Sequence, residues 1–115
     1  MEEYIDTSEC IKLELLSIYN ILYQKMIIDI QPSTRENKKF MATFKNGKKV
    51  HFGQKGSQTY LDHKDKDKRD AYRKRHAKDL NTKDPRSPAY LSFYISWGDA
   101  TNLKDAVKKY NNMFF

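Results

Sequence analysis

Histidine, aspartate, arginine and tyrosine crowd into one stretch of this 115-residue chain, His51 to His76, which reads HFGQKGSQTYLDHKDKDKRDAYRKRH. Lys68, Arg69, Arg73, Lys74, Arg75 and Lys78, together with His76, are closely spaced cations, the pattern that contacts the phosphate oxygens of a polyanion. Tyr72 and His76 add rings that stack or pack. His63, Asp65 and His76 are metal-ligand types, which raises metal-dependent hydrolysis of nucleic acid as an alternative chemistry. Their spacing matches no strong metal motif such as H-E-x-x-H, and histidines beside Arg and Asp are more often structural. No catalytic residue, metal ligand or cofactor is therefore assigned. No nucleophile elbow is present, and Gly53-x-x-Gly56 reads as a turn rather than a phosphate loop.

These side chains need a helix to hold them. Asp65 is placed as its N-cap, because its carboxylate can accept a first-turn N–H, and the helix is expected to run to about Leu80. Arg69, Tyr72, Arg73, His76 and Leu80 then share one face, with Lys74 and Lys78 opposite. Asp65/Arg69, Asp70/Lys74 and Arg75/Asp79 are i,i+4 opposites worth roughly 0.2–0.5 kcal/mol each. Alternating signs over Lys64–Asp70 suit a solvated first half, and the Arg73-Lys74-Arg75 cluster suits phosphate binding in the second.

Overall charge agrees with a polyanionic partner. The net charge is +7 and the pI about 9.4, although such a charge also serves solubility alone. Residues 1–25 hold Glu2, Glu3, Asp6, Glu9 and Glu14 against Lys12 and Lys25, so the basic character belongs to the remainder. Cys10 is the lone cysteine, which excludes an intrachain disulfide and a thiolate metal cluster and suits a reducing compartment. The acidic start is unlike a signal peptide. No apolar run approaches the roughly 20 residues needed to span a bilayer, so no membrane partner is expected.

The division expected is an acidic amphipathic helix within residues 1–25, then a basic domain over 26–115. Thr7 or Ser8 caps a helix over 7–25, whose stripe is Ile11, Leu15, Ile18 and Leu22, with Leu16, Tyr19 and Tyr23 beside it. Strands follow at Met26–Ile30, Lys39–Phe44 and Lys48–Phe52, with Asn46-Gly47 as a two-residue hairpin turn. Phe40, Ala42, Phe44, Val50 and Phe52 point inward. Gln58–Asp62 is a candidate fourth, edge strand. Ser87-Pro88 opens a helix through Trp97 that is apolar nearly all round, and Gly98 stops it. Thr101 caps a last helix with Leu103, Ala106, Val107 and Tyr110 inward. The fold expected is α+β, a small antiparallel meander of three to four strands packed with about four helices.

The segments IQPSTRENKKFMATF, VHFGQKG, HKDKDKRDAYRKRH, AYLSFYISWG and LKDAVKKYNNMF are spread over a span of about three quarters of the chain. Over residues 27–115 they resemble a family of small uncharacterised basic proteins of nucleocytoplasmic large DNA viruses, the giant viruses. Members of that family often carry Pro where this chain has Lys66, which suits Asp65 as N-cap. The resemblance implies a viral setting, in the host cytoplasm or viral factory or packaged in the virion, and implies no mechanism. The expected function is non-enzymatic: nucleic-acid binding or genome packaging, with DNA or RNA contacted through the basic helix. The alternative is a virion structural or protein–protein interaction protein, with residues 7–25 or 89–97 meeting a second copy or another protein.

Overall fold

The computed structural model describes residues 17, 18 and 20–115. Three antiparallel strands form a meander in chain order, β1 (Ile27–Pro32), β2 (Lys38–Phe44) and β3 (Lys49–Gln54). Alternation in β2 puts Phe40, Ala42 and Phe44 on one face. The register sets Phe40 opposite Phe52 and Ala42 opposite Val50, so apolar residues meet apolar residues across the pair. Ala42, Phe44 and Phe52 are fully buried, and Phe40 and Val50 pack at the margin. The inward set expected from alternation is the observed one.

The β2–β3 turn differs in detail. Phe44 N–H donates to Lys48 O at 2.8 Å and Gly47 N–H to Phe44 O at 2.9 Å. Lys45, Asn46 and Gly47 thus form the loop, one residue longer than expected. Only Gly47 takes a left-handed backbone, with φ at +90°, the geometry of a type I turn closed by a glycine bulge. Asn46 instead accepts Lys48 N–H with its side chain, at 3.0 Å. In β1 the register slips between Ile27 and Asp29, which leaves Ile28 as a bulge residue with its side chain exposed. A bulge on an edge strand disrupts further pairing.

Gln58–Asp62 is not a fourth strand. Asp62 accepts from Thr59 N–H at 2.7 Å and from Thr59 Oγ1 at 3.2 Å, a helix-start arrangement, and the chain turns into helix α1 (Tyr60–His63). Helix α2 (Lys66–His76) follows and continues as a 3₁₀ helix (Ala77–Thr82). The expected helix to Leu80 therefore exists, but tightens after His76. Helix α3 (Pro88–Leu91) begins as expected, with Ser87 Oγ accepting Tyr90 N–H at 3.4 Å and Pro88 in the first turn. It then widens into a π-helical turn (Ser92–Ser96), in which Trp97 N–H reaches back to Ser92 O at 3.1 Å. Helix α4 (Leu103–Phe114) is capped by Asn102 rather than Thr101. Asn102 Oδ1 accepts Asp105 N–H at 2.9 Å, and its amide donates to Asp105 Oδ2 at 3.0 Å.

The core lies between the inner face of the sheet and these last helices. Leu91, Ile95, Ala100, Ala106 and Tyr110 join Ile27, Ala42, Phe44 and Phe52, with Leu103 and Val107 beside them. The apolar segment expected over 89–97 buries Leu91, Phe93 and Ile95 within this chain. Two polar bonds close the unit. The Asn111 amide bonds both main-chain groups of Ile27, accepting from N–H and donating to O, each at 2.9 Å. The Tyr110 hydroxyl donates to Pro85 O, and burial pushes its pKa up. Residues 17, 18 and 20–24 are helical, with Ile18, Ile21, Leu22 and Tyr23 exposed. Thr7, Ser8, Ile11, Leu15, Leu16 and Tyr19 lie outside the described residues.

Gly98 is required by space rather than by handedness. A Cβ built there would fall inside contact distance of Tyr94 O, while its φ is not left-handed. Gly98→Ala must push apart the backbone at the end of the π turn, so it should cost at least about 2 kcal/mol. Urea denaturation measures this. An unchanged midpoint would mean that the turn relaxes freely.

Candidate nucleic-acid interface

The basic helix is seated by a joint at its start. Lys64 takes a left-handed backbone with φ of 56°, ending α1. Asp65 then caps α2 as expected, its Oδ1 accepting from Asp67 N–H at 3.0 Å and Lys68 N–H at 3.2 Å. His63 Nδ1 accepts Asp65 N–H at 3.0 Å, which orients the imidazole. Lys39 locks α1 to the sheet through an ion pair with Asp62 at 2.7 Å and a bond to Ser57 O.

Arg69, Tyr72, Arg73, His76 and Leu80 do share one face, and it is half-buried against the body. Arg69 and Arg73 are consequently not displayed. Each sends Nη1 to Asp99 Oδ1 at 3.3 Å. Arg69 lies over the Tyr60 ring at 5.0 Å and Arg73 over the Phe93 ring at 5.3 Å, arrangements that add cation–π attraction. Arg69 Nε also bonds Asp70 at 3.0 Å, a contact that leads the causes raising its pKa. The expected i,i+4 pairs do not form. Arg69 takes Asp70 and Asp99 in place of Asp65, and Asp79 pairs with His76 at 2.8 Å in place of Arg75. Of these partners only Asp99 lies across the interface; Asp70 and the His76–Asp79 pair are neighbours along the chain.

On the same face as the arginines runs a column of rings. Tyr72 stacks on Trp97 at 4.4 Å with planes 7° apart, and on its other side on His76 at 4.1 Å. His63 sits tilted against Trp97 at 5.3 Å. Burial leads the causes raising the Tyr72 pKa. Trp97 also walls two clefts of about 240 Å³ each. One is basic, with Gln58, His63, Lys68, Ala71 and Arg75. The other is rich in hydroxyls, with Ser57, Thr59, Ser92 and Ser96 beside Tyr72 and His76. Among the described residues, Ser96 Oγ and Arg86 Nη1 are buried polar side-chain atoms without a hydrogen-bond partner. An orphan hydroxyl costs about 1–3 kcal/mol.

Of the expected contact residues, Lys68, Lys74, Arg75 and Lys78 are exposed. None has a carboxylate within ion-pair distance among the described residues. His63, Asp65 and His76 are engaged separately, and the described residues hold no cluster of three or more ligand types placed for a metal ion. His51 lies outside this site. Ser33 Oγ accepts Arg35 N–H at 3.0 Å and meets His51 Nδ1 at 2.7 Å. Desolvation, then Arg35, Lys49 and Lys38, lower the His51 pKa and favour its neutral form. Trp97 and Asp99 are the residues that sequence reasoning did not bring to the site. Their adjacency to Gly98, after a long apolar segment, is the local signal that something must turn there.

Residues 28–76, less than half of the chain, match the profile of a family of unknown function, DUF5754. That span holds most of the sheet and all of α2, and ends before Trp97 and Asp99. No curated protein and no solved structure matches the chain. No helix among the described residues is long and apolar enough to cross a membrane.

The Lys39 hydrogen bond, then the Thr59 N–H, hold the Asp62 carboxyl below the usual carboxylate range. The folded value is the lower one, so the stabilisation is present above the unfolded value and disappears as pH falls through the folded value. Asp62→Asn should therefore lose less stability than the wild type between about pH 5 and pH 2. Parallel acid limbs in thermal melts of the two proteins would disprove a stabilising Lys39–Asp62 contact.

Proposed function

We propose that the protein binds nucleic acid through the exposed side of α2, by phosphate contacts and without a chemical step of its own. The observation that supports this reading is that Lys68, Lys74, Arg75 and Lys78 have no carboxylate within ion-pair distance among the described residues. They project from α2 and its 3₁₀ extension, while Arg69 and Arg73 of α2 are consumed in holding it down. Within the giant-virus resemblance, the nucleic acid is viral DNA or RNA and the role is its binding or genome packaging. A second reading is supported by exposed Ile18, Ile21, Leu22 and Tyr23. An apolar helical face of this kind suits contact with a protein, and such contact is compatible with phosphate binding elsewhere.

Salt dependence tests the first reading. Each phosphate neutralised contributes about −0.9 to the slope of log K against log salt on duplex DNA, and about −0.7 on single strands. Changing Lys68, Lys74, Arg75 and Lys78 to Gln should shrink the duplex slope by up to about 3–4 units. Arg73 is left in place because its loss would unseat the helix. Lys104, Lys108 and Lys109, exposed on α4, changed to Gln, form the comparison. Equal weakening by the two sets of substitutions would mean that overall charge, and not α2, governs binding.

A further inference from the structure

We infer that the two clefts flanking Trp97 form one nucleotide subsite, so that the strand bound is single. This rests on the phosphate-binding reading of α2 and extends it to the base. The basic cleft puts Lys68, Arg75 and His63 around one space, and the hydroxyl cleft puts Ser57, Ser92 and Ser96 around the other. Trp97 belongs to both walls, so the two spaces are neighbours across a ring. One suits a phosphate and the other suits the polar edge of a base.

Three features argue for a base in the second cleft. At about 240 Å³ it is smaller than the roughly 300–1,000 Å³ of pockets for drug-sized ligands, which fits a single heterocycle. Its wall is aromatic, formed by Trp97, Tyr72 and His76; Tyr72 is already stacked on both faces, so a heterocycle in the cleft packs edge-to-face against the column. Ser96, only 1 % exposed, has a hydroxyl with no partner among the described residues. Hydroxyls donate and accept, so they serve any base edge and impose little sequence preference. In a duplex these edges are paired and the faces stacked, so a base enters a cleft only from a single strand or after extrusion.

The probes are fluorescein-labelled oligo(dT) and oligo(rU) strands of about 20 nucleotides and a duplex of the same length, with the full chain. Both strands should bind at least about ten-fold tighter than the duplex at equal salt. Trp97, the sole tryptophan, should change its emission with either strand and not with the duplex. Ser96→Ala removes an unpaired hydroxyl, so it should melt no lower than the wild type. Its affinity for the strands should fall by about 3- to 10-fold, with duplex affinity unchanged. Equal affinity for strand and duplex, or an Ser96→Ala protein that binds strands normally while Trp97 emission stays still, overturns the subsite. In either case the basic face survives if the four-Gln protein still loses salt-dependent binding. Failure of all three probes to bind at low salt sinks the basic-face reading itself.

Discussion

Asp99 and the ring of Trp97 hold the basic helix to the protein, and the site exists only while they do. Helix α2 buries no residue fully, so it lacks the apolar stripe that ordinarily docks a helix. Its attachment comes from a shared carboxylate under Arg69 and Arg73 and from the stack of Tyr72 between Trp97 and His76. Exposed ion pairs are worth roughly 0–1 kcal/mol, and aromatic pairs about 0.5–1.5 kcal/mol beyond their buried area. The docking is thus modest in strength and demanding in geometry. Asp99 and Trp97 follow a π-helical turn, so the turn's shape aligns both groups with α2.

Much of the sheet was legible because its signals are local and agree. Alternation in KFMATF, the Asn46-Gly47 punctuation and the return strand all specify one meander. Gln58–Asp62 was misread for a physical reason. A short run with Tyr and Leu resembles a strand, but Thr59 and Asp62 satisfy helix-start N–H groups, and that local bonding wins. The π turn was not legible. It depends on the approach of Gly98 to Tyr94 O, a distance that no spacing rule conveys. The same holds for the cap of α4, where Asn102 and its reciprocal bond with Asp105 displace the neighbouring Thr101.

At the site, the helix, its Asp65 cap and the residues that share one of its faces were readable from 3.6-residue periodicity, but not that this face turns inward. The fate of each cation was not. Arg69 and Arg73 look like the best phosphate ligands in the sequence, because arginine forks suit phosphate. The same fork suits Asp99, which lies 30 and 26 residues away along the chain. Separation along the sequence hid the competitor. The lysines and Arg75 remain available because they occupy the solvent side of a helix whose opposite side is engaged.

The Asn111 amide has a consequence for the order in which the chain assembles. It bonds Ile27 N and O as a neighbouring strand would, but from a helix 84 residues further along. The hairpins of the meander close over short loops and can form early. The bond that completes the edge of β1 must wait for a far longer loop to close, with an entropic cost that rises with the logarithm of its length. Until α4 arrives, the core over Phe44 and Phe52 lacks Ala106 and Tyr110, and β1 has open main-chain groups at Ile27. The sheet is therefore most vulnerable to pairing with another chain in the interval after it has formed and before α4 emerges.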